Sequence, residues 1–355
     1  MSASELPRVR ILTGPTPLEP LPGLQAYLFG EAGIAPPARP LLWVKRDDAE
    51  HAGGIGGNKA RKLEFILGQA LERGARRLIT PGMLGSNHAL TLALAARLHG
   101  LRVRFILGPQ PITDDVRMKL LAFHALGAEL VIRGNLISMG LSMGAAQLRS
   151  ALERDEYYVP TGGSSREGMQ GYRLAFEELC TQTGRADLPA LIYVPYGSGG
   201  TAAGLLAGAR ASGLSNQVRI EAVRVTAPWM TTRSRLNGFA RPEARRWDNL
   251  DIISGYQQPG YGASTPEVEE VIRLLRDTDG IELESTYSGK AMLALVAGVR
   301  ASLRATGTIE KTLFWLTYHR HDLDGIVRAY AWSNPREKWR ELPRAVWPHY
   351  KGWNG

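Results

Sequence analysis

The chain has 355 residues, 44% of them hydrophobic and 22% charged, which suits one large core or two modest ones. No run of about 18 apolar residues occurs, and the first residues lack the charged start and apolar stretch of a secretory leader, so neither a membrane span nor a leader is expected. The net charge of +9 rests on 43 basic residues, only eight of them lysine. The arginines are dispersed along the chain, which argues against a nucleic-acid-binding face.

Strand-like and helix-like segments alternate from end to end. Residues 41–48 (LLWVKRDD) read as a strand entering a polar loop, and 53–60 (GGIGGNKA) as a glycine-rich turn. A helix follows, with Leu63, Ile66, Leu67, Ala70 and Leu71 at helical spacing. Residues 76–82 form a strand. The stretch 86–100 (SNHALTLALAARLHG) is a helix with a capping start. Strand 102–108, a helix over 113–128, strand 129–134 and a helix over 141–155 come next. Strand 157–160 runs into a second glycine turn (TGGSS), followed by a helix from about 167 to 181. Residues 191–210 read as strand, glycine loop and helix. A strand at 220–227, helices at 264–278 and 287–305, and a strand at 312–319 complete the series. The Trp- and Pro-rich tail, 331–355, is expected to be an irregular surface wrap or subunit contact.

Strict alternation of buried strands with helices predicts parallel sheets covered on both faces. The number of units exceeds one comfortable sheet. The expected fold is therefore α/β, with two doubly wound open-sheet domains flanking a cleft. The expected division places 1–63 plus 167–355 in a larger domain and 64–166 in a smaller one. The single cysteine, Cys180, rules out an internal disulfide framework and fits a reducing cytoplasm.

Four turns carry residues suited to chemistry. Lys59, after Gly56, Gly57 and Asn58, sits where a helix begins. A nucleophilic lysine needs a neutral amine, obtained by desolvation or nearby cations, and Arg46, Arg61 and Lys62 are candidates for that influence. A solvated lysine at a helix start is the bland alternative. Gly197, Ser198, Gly199, Gly200 and Thr201 join a strand to a helix, where backbone N–H groups, the helix dipole and two hydroxyls suit a phosphate. The spacing fits neither the dinucleotide fingerprint nor the P-loop. Ser86, Asn87 and His88 open another helix and suit a carboxylate, or simply a helix cap. Tyr287 precedes a helix and could exchange a proton if its pKa of about 10 were lowered. A half-buried structural tyrosine is the alternative.

In order, KRDD, GGNKARKLE, SNH, GSGGTAAG, GYG and YSGKA resemble the D-cysteine desulfhydrase and 1-aminocyclopropane-1-carboxylate deaminase family. These are fold-type II, tryptophan-synthase-β-like pyridoxal-phosphate enzymes, and the resemblance covers roughly residues 10 to 317. It implies pyridoxal 5'-phosphate as cofactor, held in the cleft, a small amino acid as substrate, no metal and a homodimer. Lys59 matches the lysine that carries the cofactor aldehyde, with Asn58 beside it. Asn87 matches the contact to the cofactor's phenolic oxygen. Gly197 to Thr201 match the phosphate loop, and Thr317 a threonine facing the pyridine nitrogen. Ser86, Asn87 and His88 match the surroundings of the substrate carboxylate, and Tyr287 the active-site tyrosine.

Three departures bear on the substrate. Ser288 stands where the deaminase branch has glutamate, which argues for simple α,β-elimination rather than ring opening. Tyr318 and His319 replace two glycines, followed by Arg320 and His321; His319, Arg320 or His321 could present charge to an anionic substrate or equally lie on the surface. Leu90 and Thr91 replace an arginine–glutamine pair. The expected activity is elimination from a small, sulfur-containing amino acid such as cysteine, giving a keto acid and ammonia. The alternatives are β-replacement, elimination from a sulfonated amino acid, and a cofactor-binding protein without turnover.

Overall fold

The computed structural model describes residues 6–239, 247–260, 262–329, 338–351 and 353. In chain order, β1 (Leu18–Pro20), α1 (Pro22–Glu31) and β2 (Leu42–Arg46) precede α2 (Asn58–Glu72). Then come β3 (Arg77–Met83), α3 (Asn87–Leu98), β4 (Arg102–Gly108), α4 (Asp114–Ala125), β5 (Glu129–Ile132), α5 (Leu136–Leu152) and β6 (Glu156–Tyr158). The second half holds α6 (Gly168–Thr183), β7 (Leu191–Tyr196), α7 (Gly200–Ala211), β8 (Arg219–Arg224), α8 (Arg233–Asn237) and β9 (Leu250–Ile253). It ends with α9 (Pro266–Asp279), α10 (Ser288–Thr306), β10 (Thr312–Leu316) and α11 (Leu323–Ala329).

Two packed units result. One comprises Met1–Thr13, Glu50–Gly168 and Arg320–Gly355; the other comprises Gly14–Ala49 and Met169–His319. The division differs from the expected one at residues 1–13, 50–63 and 320–355, each for a packing reason. Residues 50–63 join the first unit because α2 packs on α3, and the N-terminal residues join it because the Glu64 carboxylate accepts from the backbone N–H groups of Ile11 and Leu12 at 2.8 and 2.9 Å. The C-terminal segment joins it because α11 packs on α4 and the Tyr350 hydroxyl donates to the Arg117 carbonyl at 2.7 Å. The tail's Trp339, Trp347, Tyr350 and Trp353 form a cluster of stacked and edge-on rings. Residues 331–337 of that tail, and Tyr261 of the GYG turn, lie outside the described residues.

The first unit carries a four-stranded parallel sheet in the order β5-β4-β3-β6. Alternate residues face opposite sides, as strand geometry requires. Leu78 and Phe105 join the core built with α2, α3 and α4, while Ile79 and Ile106 meet Met139 of α5. The second unit carries a six-stranded sheet, β1-β2-β10-β7-β8-β9, parallel except for β1. Here Leu313 and Trp315 pack toward α6 and α7, and Phe314 and Leu316 toward α1, α9 and α10. At Gly204 and Gly208 a Cβ would meet the Cβ atoms of Tyr172 and Phe176 at 2.3 and 2.5 Å, so glycine lets α7 lie close on α6.

In both sheets the strand order reverses beside a central strand. Ligands of open parallel sheets bind outside the carboxyl ends of strands at such switch points. The reversal falls at β3 and β6 in the first unit and at β7 and β10 in the second. Of the turns singled out in the sequence, Ser86 to His88 follows β3 and Gly197 to Thr201 follows β7, whereas the Lys59 turn follows β2 and Tyr287 follows α9. The KRDD segment, by contrast, is architectural. Asp47 is buried and accepts from the Thr16 hydroxyl at 3.0 Å, the Tyr172 hydroxyl at 2.5 Å and the Trp315 indole at 2.7 Å. No helix among the described residues is long and apolar enough to cross a membrane.

Candidate functional site

In the first unit, α2 begins after Gly57, whose φ of 77° lies in the left-handed region that favours glycine. This places Asn58 and Lys59 at the first two helical positions, both half-buried, with the Lys59 Nζ donating to Asn58 Oδ1 at 2.5 Å. One turn later Lys62 is fully buried. Burial first, and the charge of Lys59 second, hold its pKa well below that of an ordinary lysine. The Gly162 carbonyl lies 3.4 Å from its Nζ.

Ser86 caps α3, accepting from the Ala89 N–H at 3.2 Å, so the capping role is realised. Asn87 is the helix's first residue and half-buried. His88 is buried, and its pKa is pushed well below the usual histidine value by burial, then by Lys59 and Lys62. The Thr80 hydroxyl donates to the Val159 carbonyl at 2.9 Å, and the same oxygen lies 3.2 Å from His88 Nε2. Thr80 has one proton to give. Nε2 therefore carries the imidazole proton and donates to Thr80, leaving Nδ1 as an acceptor. That Nδ1 is buried without a hydrogen-bond partner among the described residues. The glycine turn after β6 closes this region: a Cβ on Gly163 would lie 3.6 Å from both the His88 ring and the Lys62 stem.

The charged run after β10 divides between backbone anchors. His321 Nδ1 lies 3.2 Å from the Gly54 carbonyl and its Nε2 3.3 Å from the Thr91 hydroxyl, which in turn donates to the Asn87 carbonyl at 2.9 Å. His321 thus ties the loop before Lys59 to the first turn of α3. In the second unit, His319 Nδ1 donates to the Asp48 carbonyl at 2.7 Å. Arg46 also lies in that unit, paired with Asp48 and Glu19.

The second unit holds Gly197 to Thr201, Tyr287 and Thr317. Gly199 caps α7 with a φ of 95°, a left-handed conformation, and Gly200 and Thr201 are the helix's first residues. The start of a helix turns N–H groups and positive potential outward. Arg235 adds charge here, donating to the Ser198 carbonyl at 3.2 Å. Tyr287 stands immediately before α10, half-buried, with its Cε1 3.0 Å from where a Gly197 Cβ would lie. Thr317 is buried just past β10. Ser288 does not present a loose hydroxyl. It is buried, and its Oγ lies 3.1 Å from Glu284 Oε1, while the Glu284 carboxylate accepts from the N–H groups of Thr286, Tyr287 and Ser288 at 2.7 to 2.8 Å.

Sequence reasoning did not single out Thr226. It follows β8, is buried, and its Oγ1 has no hydrogen-bond partner among the described residues. Its methyl lies 3.9 Å from the Gly197 Cβ position. Its one sequence signal is its place just beyond a strand's carboxyl end. No cluster of His, Cys, Asp and Glu able to hold a metal occurs among the described residues.

The depressed Lys62 pKa has a sign that can be tested. Between its folded value and about 10.5 the unfolded chain binds more protons at this position, so stability rises with pH there. Lys62→Met removes that penalty. With no ligand added, the variant is expected to melt above the parent at pH 7, the gap closing as pH approaches 10. Each kcal/mol recovered corresponds to about 2 °C in a chain of this length. Equal melting temperatures at pH 7 would show that Lys62 is charged and satisfied in the fold.

Comparison with known proteins bears on the same span. A D-cysteine desulfhydrase of Salmonella paratyphi C (strain RKS4594) is 32% identical over 312 residues, 83% of this chain and 89% of that protein. The crystal structure of an ACC deaminase homologue aligns with a TM-score of 0.71 at 30% identity, covering 92% of this chain and 97% of that one. A fungal L-serine ammonia-lyase from Rhizomucor miehei shares the fold, with a TM-score of 0.60 at 18% identity, covering 91% of this chain and 100% of that one. The family match, to the pyridoxal-phosphate dependent enzymes, runs from residue 9 to residue 317 and takes in the turns at Lys59, Ser86, Gly197 and Tyr287; the chain belongs to that family.

Proposed function

We propose that the chain catalyses α,β-elimination from a small amino acid, most simply a sulfur-containing one such as cysteine, releasing a keto acid and ammonia in the cytoplasm. The observation that carries this reading is the surroundings of Lys59. Lys59 stands at the glycine turn that opens α2, close enough for its charge to be felt by the buried Lys62 and His88, which burial keeps from holding protons readily. The likeness to a D-cysteine desulfhydrase supports the sulfur-containing substrate.

The residues fit the cofactor of the family. Lys59, with Asn58 beside it, offers an amine at a glycine turn, and His88 Nδ1 offers a buried acceptor that lacks a partner among the described residues. Gly197 to Thr201 offer a helix start with two hydroxyls, and Thr226 Oγ1, equally without a partner, lies beside Gly197. When bound, pyridoxal phosphate supplies an aldehyde for the substrate amine and a conjugated ring that takes up the electrons left at Cα.

The chain's own groups do the rest. Lys59 Nζ would hold the cofactor and would serve as the base for the substrate's Cα proton. Ser86 and Asn87 would hold the substrate carboxylate at the start of α3, where the helix dipole favours an anion, with the buried, neutral His88 next in the chain. Asn87 would also help to hold the cofactor. The Tyr287 hydroxyl gives a proton to the departing group. Thr317 would offer the cofactor a neutral hydroxyl, and Ser288, its own hydroxyl held by Glu284, brings no carboxylate there.

The test is keto-acid release measured with D- and L-cysteine, cysteate, serine derivatives and the cyclopropane amino acid. Turnover of a cysteine isomer with sulfide release is expected. Product that appears only when a second thiol or amine is added would assign β-replacement. Turnover of cysteate alone would assign the sulfonated substrate. A loaded, coloured protein that releases keto acid from none of them would refute the proposal.

A further inference from the structure

Two departures from the family pattern meet in space. Thr91 replaces the second residue of the arginine–glutamine pair, and His321 lies in the divergent run after β10, 230 positions away. The Thr91 hydroxyl oxygen is 3.3 Å from His321 Nε2. Both residues belong to the first unit, as do Gly54, Lys59 and Asn87.

The protons around the His321 ring can be counted. Thr91 has one to give, and it goes to the Asn87 carbonyl at 2.9 Å, one turn back, a usual bond for a threonine inside a helix. The Thr91 oxygen therefore faces the ring as an acceptor, and Nε2 must carry a proton to meet it. On the other side of the ring, Nδ1 lies 3.2 Å from the Gly54 carbonyl, which can only accept. Gly54, with a φ of 72°, lies in a tight turn that the His51 N–H closes by donating to the Ile55 carbonyl at 2.8 Å, so this carbonyl is held in place. An acceptor at each nitrogen is matched only by the imidazolium ion. The neutral ring would set a bare lone pair against an oxygen.

The titratable groups on the elements around the ring are Arg320 and Asp322 of its own segment, both exposed, His51 and Lys59 to either side of Gly54, and His88 at the start of α3. Asp322 adjoins His321 in the chain, its carboxylate accepting from the Gly325 N–H at 2.9 Å. Leu90, the first residue of the replaced pair, brings no charge to α3. A protonated His321 supplies one. Through contacts of 3.3 and 2.9 Å its Nε2 stands within about 6 Å of the Asn87 carbonyl oxygen, near enough to favour an anion at that helix start. We infer that His321 is a positioning residue, an imidazolium that fixes the loop before Lys59 against the first turn of α3 and adds positive charge to the carboxylate end of the site. The inference rests on the amino-acid substrate proposed above.

The test uses the full chain loaded with pyridoxal phosphate, its seven histidines labelled with heavy nitrogen and read by nuclear magnetic resonance. The ring signal that His321→Gln removes belongs to His321, and the signal that moves in Thr91→Val assigns it a second time. At pH 7 both ring nitrogens are expected to be protonated. Thr91→Val, which removes the acceptor at Nε2, should lower the pH at which the ring titrates by about one to two units, the effect of one hydrogen bond to a charged group. These readings need no turnover, so they stand apart from the proposed reaction. Amino-acid affinity is then read from the change that the amino acid makes in the visible band. His321→Gln should weaken it about tenfold at pH 7, while kcat changes less. The parent's affinity should fall by a like factor as pH is raised through the His321 titration, a fall that the variant lacks. A neutral His321 at pH 7 overturns the inference. So does a protonated His321 whose replacement leaves affinity and its pH profile unchanged, since the ring would then serve the fold alone.

Discussion

Lys59→Ala is expected to remove both colour and turnover. With pyridoxal phosphate added, the parent should show a visible band at roughly 410–420 nm, a general property of this cofactor on a lysine. The variant should lack that band and release keto acid slower by about 10⁴-fold or more, the scale on which loss of a covalent catalytic group is felt. The fold should survive. Lys59 is half-buried at the second position of α2, and alanine is the best helix former. Burial, the larger cause of the low His88 pKa, is untouched by the change, so the histidine should stay neutral at pH 7. The two readouts separate two failures. A variant that keeps its visible band refutes the assignment of Lys59. A variant that loses the band, in a parent that is inactive on every amino acid offered, upholds Lys59 and refutes the proposed reaction.

The parts of the fold that repeat locally were legible in the sequence. Alternating strands and helices gave the parallel sheets, because buried parallel strands are uniformly apolar and their crossovers carry helical spacing. The turns at Lys59, Ser86 and Gly197 were legible because glycines and capping residues announce a strand-to-helix junction. Helix α5 begins five residues before the stretch that its spacing predicts, because Asn135 caps it, its side chain accepting from the Ser138 N–H at 2.8 Å.

What was not legible depends on long-range packing. Lys62 looks like any helix lysine until α2 is buried, and only then does its charge become costly. The lone acceptor on His88 follows from Thr80 giving its proton to Val159, a residue 79 positions away. Thr226 is one threonine among many until the turn after β7 comes beside it. His319 and His321 looked able to meet an anionic substrate, yet each places a ring nitrogen against a backbone carbonyl. The sequence period locates strand ends, but it does not say which polar atoms are left without partners once the chain has folded.

Gly199→Val should have the second-largest effect, and it isolates the phosphate end. Gly199 holds a φ of 95°, where a β-branched residue is a conformational outlier. Its Cβ would also lie 3.2 Å from both Leu236 Cδ2 and Tyr196 Cε2. Tyr196 is fully buried and its hydroxyl donates to the Thr232 carbonyl at 2.8 Å, so the ring has little room to yield. The turn must therefore rearrange, and the N–H groups of Gly200 and Thr201 move with it. Hydrogen bonds to a charged group contribute about 1.5–3 kcal/mol each. Loss of two implies that pyridoxal-phosphate affinity falls by about 10²–10⁴-fold, at about 1.4 kcal/mol per tenfold. Titrating cofactor-free protein and following the visible band measures this directly. At saturating cofactor the band should return at its normal wavelength, because Lys59 is unchanged, and part of the turnover should return with it. An affinity equal to the parent's would mean that the phosphate is held elsewhere and that the helix start at Gly199 serves only the fold.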